Sequence, residues 1–341
     1  MGDEISIITD NRLPDGAVSS SIYDDQLYEL AEIRNPTVHD SALLQSIANE
    51  LGLQIPRVNV YYPWRNIAVQ MLPEQYFYEI KTNRNQLLIT KNEQQLLYDL
   101  TISVAGMSVG SSLVFGLIGS GIAKHMILAD FDTYSNANLN RVQATVLDIG
   151  KNKALVTKQR ALEMNPFLDI RIIDGPVTQQ NVDQFFKNGS VDLVFEEIDD
   201  FKMKVILRDT AKKHKKPLIM LTNLGDSVQA DIERYDITLD YQPFHGTVSQ
   251  ADLDSIRSLD TVSPDIMKKL SVQLVDVSLI PQKAMESLQQ IGTTLVGRPQ
   301  LYSTVALDGG IAPFLVRQLF IEKSTVAGRH SLRLQTLLER A

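Results

Sequence analysis

The chain of 341 residues contains no cysteine, and that single absence removes disulfides, thiolate zinc sites, iron–sulfur clusters and cysteine nucleophiles together. Histidine is scarce too, five in all, which argues against a histidine-rich metal site. There is no long apolar run. The longest apolar stretch, Leu113–Leu128, is broken by Gly116, Gly119, Ser120, Gly121, Lys124 and His125, whereas a membrane span needs roughly 20 consecutive apolar residues. Met1–Gly16 mixes acids with isolated apolar residues and shows no apolar core of an export signal. The expectation is therefore a soluble, cytoplasmic protein with no membrane partner. Positive charge is in deficit: Lys+Arg 33 against Asp+Glu 41 leaves −8, which argues against a broad nucleic-acid footprint. What is present is ordinary, with 44% hydrophobic and 22% charged residues. That balance excludes collagen, coiled coil and wholesale disorder, and the length suits two average domains or one large α/β domain with appendages.

Texture divides the chain into three segments, taken as 1–78, 79–240 and 241–341. The first reads as irregular, apart from a helix over Asp40–Leu51 with Leu43, Leu44, Ile47 and Leu51 at helical spacing. From Asp99 to Tyr235 the pattern becomes regular. Strands are expected at Leu100–Ala105, His125–Ala129, Ile170–Ile173, Val191–Phe195, Pro217–Leu221 and, alternating, Val228–Tyr235. Between them, helices are expected at Ser111–Ile118, Asn152–Asn165, Val182–Lys187 and Met203–His214. Such alternation implies right-handed βαβ units and a mostly parallel sheet with helices on its faces. Ligands of these sheets lie at the carboxyl ends of the strands. The last segment is helix-rich, with an amphipathic helix over Ala312–Ile321. Lys212–Lys216 is a solvated helix end, where cations suit the macrodipole.

The strand ends carry the chemistry. Gly106-Met-Ser-Val-Gly-Ser111 follows the first strand of the regular segment. A glycine turn between strand and helix lets backbone N–H groups approach phosphates, although Ser108 and Ser111 stand where G-x-G-x-x-G has glycines. Gly106–Gly110 is also a literal G-x-S-x-G, the nucleophile elbow of serine hydrolases, with Asp199 and His245 as acid and base to be cast. Asp130 ends the second strand, 24 residues after Gly106, near the roughly 20-residue spacing of an acid that holds ribose hydroxyls. That spacing fits NAD and ATP alike. Beyond it come Asn138, Arg141 and, at a helix start, Lys153. Cations there suit a reaction in which pyrophosphate departs, because negative charge builds on the phosphates. Val194-Phe-Glu-Glu-Ile-Asp-Asp200 places four acids in five positions, a natural donor set for Mg²⁺.

These residues resemble the ThiF/MoeB-type adenylating enzymes of the ubiquitin-activating superfamily, over roughly residues 80–235. The specific part is the run Asp130-x-Asp-x-x-x-x-x-Asn-Leu-Asn-Arg141. The resemblance implies a Rossmann-like, doubly wound α/β fold with N-terminal and helix-rich C-terminal extensions. It implies ATP and Mg²⁺ as ligands, with Gly106, Ser108, Gly110, Asp130, Asp132, Asn138, Arg141 and Lys153 around the nucleotide. Arg84, Arg141, Lys153 and Asp199 would be the catalytic set, Asp199 holding the metal. Lys81-Thr-Asn-Arg84 is similar to a family segment whose arginine reaches into a partner subunit, so Arg84 implies a homodimer. Two departures stand out. The glycine loop is altered, and both the family's C-x-x-C zinc pairs and its catalytic cysteine are missing, so neither zinc nor a thioester relay is expected.

What the resemblance implies is a substrate carboxylate adenylated by Mg·ATP and captured directly by a nitrogen, oxygen or carbon nucleophile. Branches without the cysteine relay act on ribosomally made peptides or on a tRNA nucleoside. The net charge favours a peptide or small-protein substrate, while Lys202, Lys204 and Lys212–Lys216 could supply part of a basic face for tRNA. The other readings are a non-catalytic nucleotide-binding scaffold, an NAD-dependent oxidoreductase, and the serine hydrolase using Ser108.

Overall fold

A computed structural model describes residues 4–8, 13–259 and 262–338; the outer ends of the segments 1–78 and 241–341 lie outside the described residues. The chain divides into two compact units, Met1–Leu96 with Gln159–Leu168, and Leu97–Lys158 with Asp169–Ala341.

The first unit corrects the expectation of an irregular N-terminal segment. Strands β1 (Ser6–Ile8), β2 (Val18–Ser21), β3 (Val58–Tyr62) and β4 (Ile67–Met71) form a sheet in the order β1-β3-β4-β2. Helices α1 (Tyr23–Arg34), α2 (Ser41–Gln54), α3 (Glu74–Thr82) and α4 (Lys91–Tyr98) complete it. The strands are short, β2 is exposed along its length and β1 over two of its three residues, so little hydrophobic alternation marks them in sequence. Asp40 caps α2, accepting the Ala42 and Leu43 N–H groups at 2.8 and 3.2 Å. Of its expected apolar face, Leu44 is buried with Ala48 against Tyr23, Leu27 and Leu30, whereas Leu43 is exposed.

The second unit is a seven-stranded sheet built from β5 (Thr101–Ala105), β6 (His125–Ala129), β7 (Asp169–Ile172), β8 (Leu193–Glu196), β9 (Pro217–Leu224), β10 (Ser227–Arg234) and β11 (Gly328–Arg333). Its order is β11-β10-β9-β8-β5-β6-β7. The five strands β5 to β9 run parallel; β10 and β11 pair antiparallel beyond β9. The helices are α5 (Gly110–Gly119), α6 (Lys153–Met164), α7 (Val182–Phe185), α8 (Phe201–His214), α9 (Gln250–Ser258), α10 (Pro264–Leu274), α11 (Gln282–Leu288) and α12 (Tyr302–Phe320). The doubly wound fold expected from the alternating elements is what forms. Every residue of β5 is buried because helices cover both faces. Ser103 Oγ donates to Phe185 O at 2.7 Å on one face, while Val104 packs under Gly110 on the other.

On that second face α5 is apolar nearly all round and crosses α12 through glycine. A Cβ on Gly116 would stand 1.9 Å from Gly309 O, so the two helix backbones touch directly. The chain order reverses between β5 and β8. In a doubly wound sheet the crevice opens there, beyond the carboxyl ends of the two strands.

Candidate nucleotide-binding site

The turn after β5 is built around Gly106. Its φ is +89°, a conformation that costs any residue with a side chain. A Cβ there would also lie 2.4 Å from Glu197 O, where β8 exits alongside. Gly106 N–H donates to Ala129 O, and Glu197 N–H to Ala105 O, both at 2.8 Å. The three central strands therefore end in register, and α5 starts at Gly110 with its N-terminus facing the crevice.

Asp130, at the end of β6, is clamped by backbone. Its Oδ2 accepts Met107 N–H at 2.6 Å and its Oδ1 accepts Asp132 N–H at 2.8 Å. Burial pushes the carboxyl up, and those two N–H bonds with Lys153 oppose the rise. Asn152, which sequence reasoning passed over, holds the same loop: its Nδ2 donates to Asp130 O at 2.9 Å and its Oδ1 accepts Leu155 N–H at 2.9 Å. Asn152 immediately precedes Lys153, so its capping position was the available signal. Lys153 begins α6, with its side chain only 9% exposed and its Nζ 3.0 Å from Asp132 Oδ2.

Asn138 is oriented by a capping box. Its Oδ1 accepts Ser135 N–H at 2.9 Å, which leaves the amide N–H₂ to the crevice. Arg141 donates from Nη1 to Ala137 O and to Asn140 Oδ1, each at 2.9 Å. Its Nε is buried without a hydrogen-bond partner. Burial lowers its pKa, Arg298 adds to the fall, and Asp199 opposes it.

The acidic run after β8 does not stay together, which corrects the expectation of a four-acid metal cluster. Glu196 is fully buried, 2.8 Å from both Lys204 Nζ and Arg208 Nη1. Asp200 caps α8 by accepting Met203 N–H at 2.8 Å. Glu197 accepts Leu221 N–H at 2.9 Å, and burial, reinforced by Asp308, holds its carboxyl well above the usual range. Asp199 and Asp200 are both exposed at the larger cavity, but only Asp199 also lines the smaller one and is not engaged in a helix cap. Among the described residues no group of three or more His, Asp or Glu could cage a metal. One carboxylate completed by phosphate oxygens and water is a common arrangement for Mg²⁺, and Asp199 fits it.

Two adjoining cavities share Ser108, Lys153, Glu197, Ile198 and Asp199. The larger, about 480 Å³, is lined by Gly106, Asp130, Asp132, Val177 and Met203. The other, about 240 Å³, takes in Asn138, Arg141 and Arg298 together with Phe201, Met267 and Leu274. Arg84 lies in the first unit, exposed in the turn Asn83–Asn85. His245 lines neither cavity. It faces Asp231 at 2.9 Å and the Tyr241 hydroxyl at 3.0 Å, so the Ser108–His245–Asp199 hydrolase arrangement does not form.

At the switch point of this doubly wound sheet the structure gathers a glycine turn, a backbone-clamped acid and several cations. Residues 82–229 match the model of the ThiF family; this segment is a ThiF-family domain, as the resemblance implied. The chain is 32% identical over 282 residues to MT1398, an uncharacterized protein of Mycobacterium tuberculosis, covering 82% of this chain and 38% of that one. It is 29% identical over 157 residues to the tRNA threonylcarbamoyladenosine dehydratase of Bacillus subtilis, covering 46% of this chain and 60% of the relative. The chain thus spans less than two thirds of either relative. Among solved structures, the Escherichia coli tRNA N6-threonylcarbamoyladenosine dehydratase TcdA superposes with a TM-score of 0.51 at 21% identity, over 74% of this chain and 97% of that one. TcdA has also been solved with AMP and with ATP. In the whole described chain, no helix is long and apolar enough to cross a membrane.

Proposed function

We propose that this chain adenylates a substrate carboxylate with Mg·ATP and passes the acyl group on without a cysteine relay. The observation that carries the reading is the meeting of the Gly106 turn, Asp130, Lys153 and Asp199 at one switch point of the sheet. In this reading Asp130 holds the ribose: each of its oxygens already accepts one N–H and keeps a lone pair for a hydroxyl. The N-terminus of α5, with the Gly106, Ser108 and Gly110 backbone, faces the phosphates. Asn138, Arg141 and Lys153 hold the phosphates as their charge grows, and Asp132 steers Lys153. Asp199 holds Mg²⁺, which supplies charge neutralisation and orients the phosphates when bound.

For the substrate we propose a peptide or small-protein carboxylate, because the smaller cavity offers an apolar wall of Phe201, Met267 and Leu274 beside the phosphate-facing cations. A tRNA substrate, as named for the Bacillus relative, finds less support. Lys204 is tied to Glu196, and Lys213 with His214 to Asp183, so the basic face is partly neutralised. Arg84 would serve the site of a second subunit in a homodimer.

Thermal shift with Mg·ATP and with NAD, on wild type, Asp199→Ala and Asp200→Ala, tests the reading. The expected outcome is a Mg-dependent ATP shift that Asp199→Ala loses and Asp200→Ala keeps, the latter costing only about 1 kcal/mol of stability as a lost cap. A shift with NAD alone would overturn the proposal.

A further inference from the structure

Arg298 lies in the loop between α11 and α12, more than a hundred residues from the run that ends at Arg141. The loop is closed by its own backbone. Gln290 O accepts the Thr293, Thr294 and Leu295 N–H groups at 3.0 Å each, and Gly292 N–H donates to Leu295 O at 2.8 Å. A side-chain tie joins it to the Arg141 segment: Asn140 Nδ2 donates to Gln300 O at 2.9 Å. Arg298 is thereby brought to the wall of the cavity that Asn138, Arg141, Lys153 and Asp199 also line.

Arg141 is committed on one edge, to Ala137 O and Asn140 Oδ1, while its Nε is buried without a hydrogen-bond partner. Burial is what chiefly lowers the pKa of Arg141, and the Arg298 guanidinium facing the same cavity adds a smaller contribution in the same direction against the opposing Asp199. Like charges converging on a partly desolvated space are relieved when an anion of several charges enters it. Guanidinium forks match phosphate oxygens in geometry as well as charge.

We propose that Arg298 is a second guanidinium, supplied by the same chain, for the β- and γ-phosphates of ATP and for the pyrophosphate released from it. The inference rests on the adenylation reading above. In that reaction a carboxylate oxygen bonds to the α-phosphorus and the bond from that phosphorus to the bridging oxygen of the β-phosphate breaks. The electron pair goes to pyrophosphate, whose charge grows as it leaves. Arg141 and Arg298 meet that charge from two separate segments, and both belong to one chain. The role is therefore distinct from the one across a dimer proposed for Arg84.

Calorimetric titration of the full chain with Mg·ATP, Mg·pyrophosphate and AMP tests this on wild type, Arg298→Ala and Arg298→Lys. Arg298 is exposed, so neither substitution removes packing. Arg298→Ala should weaken ATP and pyrophosphate about 10- to 100-fold while AMP, which lacks the β- and γ-phosphates, stays within about twofold. Arg298→Lys should recover part of the loss, as a point charge without the fork. ATP bound by Arg298→Ala as by wild type, or ATP and AMP weakened alike, would overturn the proposal while leaving adenylation standing. Wild type binding neither ATP nor AMP would overturn both readings.

Discussion

Asp132 Oδ2 lies 3.0 Å from Lys153 Nζ, an ion pair in which the cation is buried and the anion is more than half exposed. A lysine taken out of water needs a partner, and Asp132 supplies it from the same loop that presents Asp130. The pair therefore holds the ammonium at the mouth of both cavities, where a phosphate can share or replace the carboxylate.

That relationship gives opposite expectations for its two members. Lys153→Ala should weaken Mg·ATP by about 10- to 100-fold, the scale of a lost charge-assisted contact. Asp132→Asn should lower the stability of the free protein by no more than about 1 kcal/mol, because the carboxylate is well solvated. Its Mg·ATP-induced thermal shift should be larger than that of wild type, since phosphate then supplies the missing partner. An Asp132→Asn shift smaller than wild type would count against a phosphate at Lys153.

Gly106→Ala should cost about 3 kcal/mol or more, since it sets a side chain at positive φ and drives its Cβ against the backbone carbonyl of Glu197. Urea unfolding reads the loss, and Mg·ATP binding should fall with it because the turn and the β8 exit share that contact. Gly119→Ala is the control. It ends α5, the helix that follows the Gly106 turn, with open space around its Cβ position, and should change stability little.

Asp308 predicts a pH dependence. It is fully buried in α12, neither oxygen makes a hydrogen bond of good geometry, and burial pushes its carboxyl up to about 7 from an ordinary 3.8. The folded state then binds a proton more tightly than the unfolded state. The contribution to stability is present below pH 3.8 and is lost as pH rises through about 7. Asp308→Asn should remove that slope, so the stability difference between wild type and variant shifts in favour of the variant between pH 4 and 8, on the order of a few kcal/mol. Denaturant midpoints measured across that range check it; parallel curves would show that Asp308 ionises in the folded protein as it does in water.

The sequence by itself determined the central sheet and pointed to half of the candidate site. Buried parallel strands and their helices write themselves as short apolar runs and 3.6-residue periods, so β5 to β9 and α5 to α8 were legible to within a few residues. Gly106, Asp130, Asn138, Arg141 and Lys153 were legible because a turn, a strand end and a helix start are local features. Tertiary structure decided the rest. It sorted the acids of Glu196–Asp200 by partner: Arg208 and Lys204 took Glu196, the start of α8 took Asp200, and Asp199 was left for the crevice. It buried Gln229, Asp231 and Glu233 along one face of β10, where an alternating strand would ordinarily turn its polar residues to water. Leu274 O, Arg329 and Arg208 satisfy them instead. It also brought Arg298 to Arg141. Local pattern reports which backbone shape a segment prefers; which distant charge will neutralise a buried group, and which will be left to bind a ligand, is settled only when the segments meet.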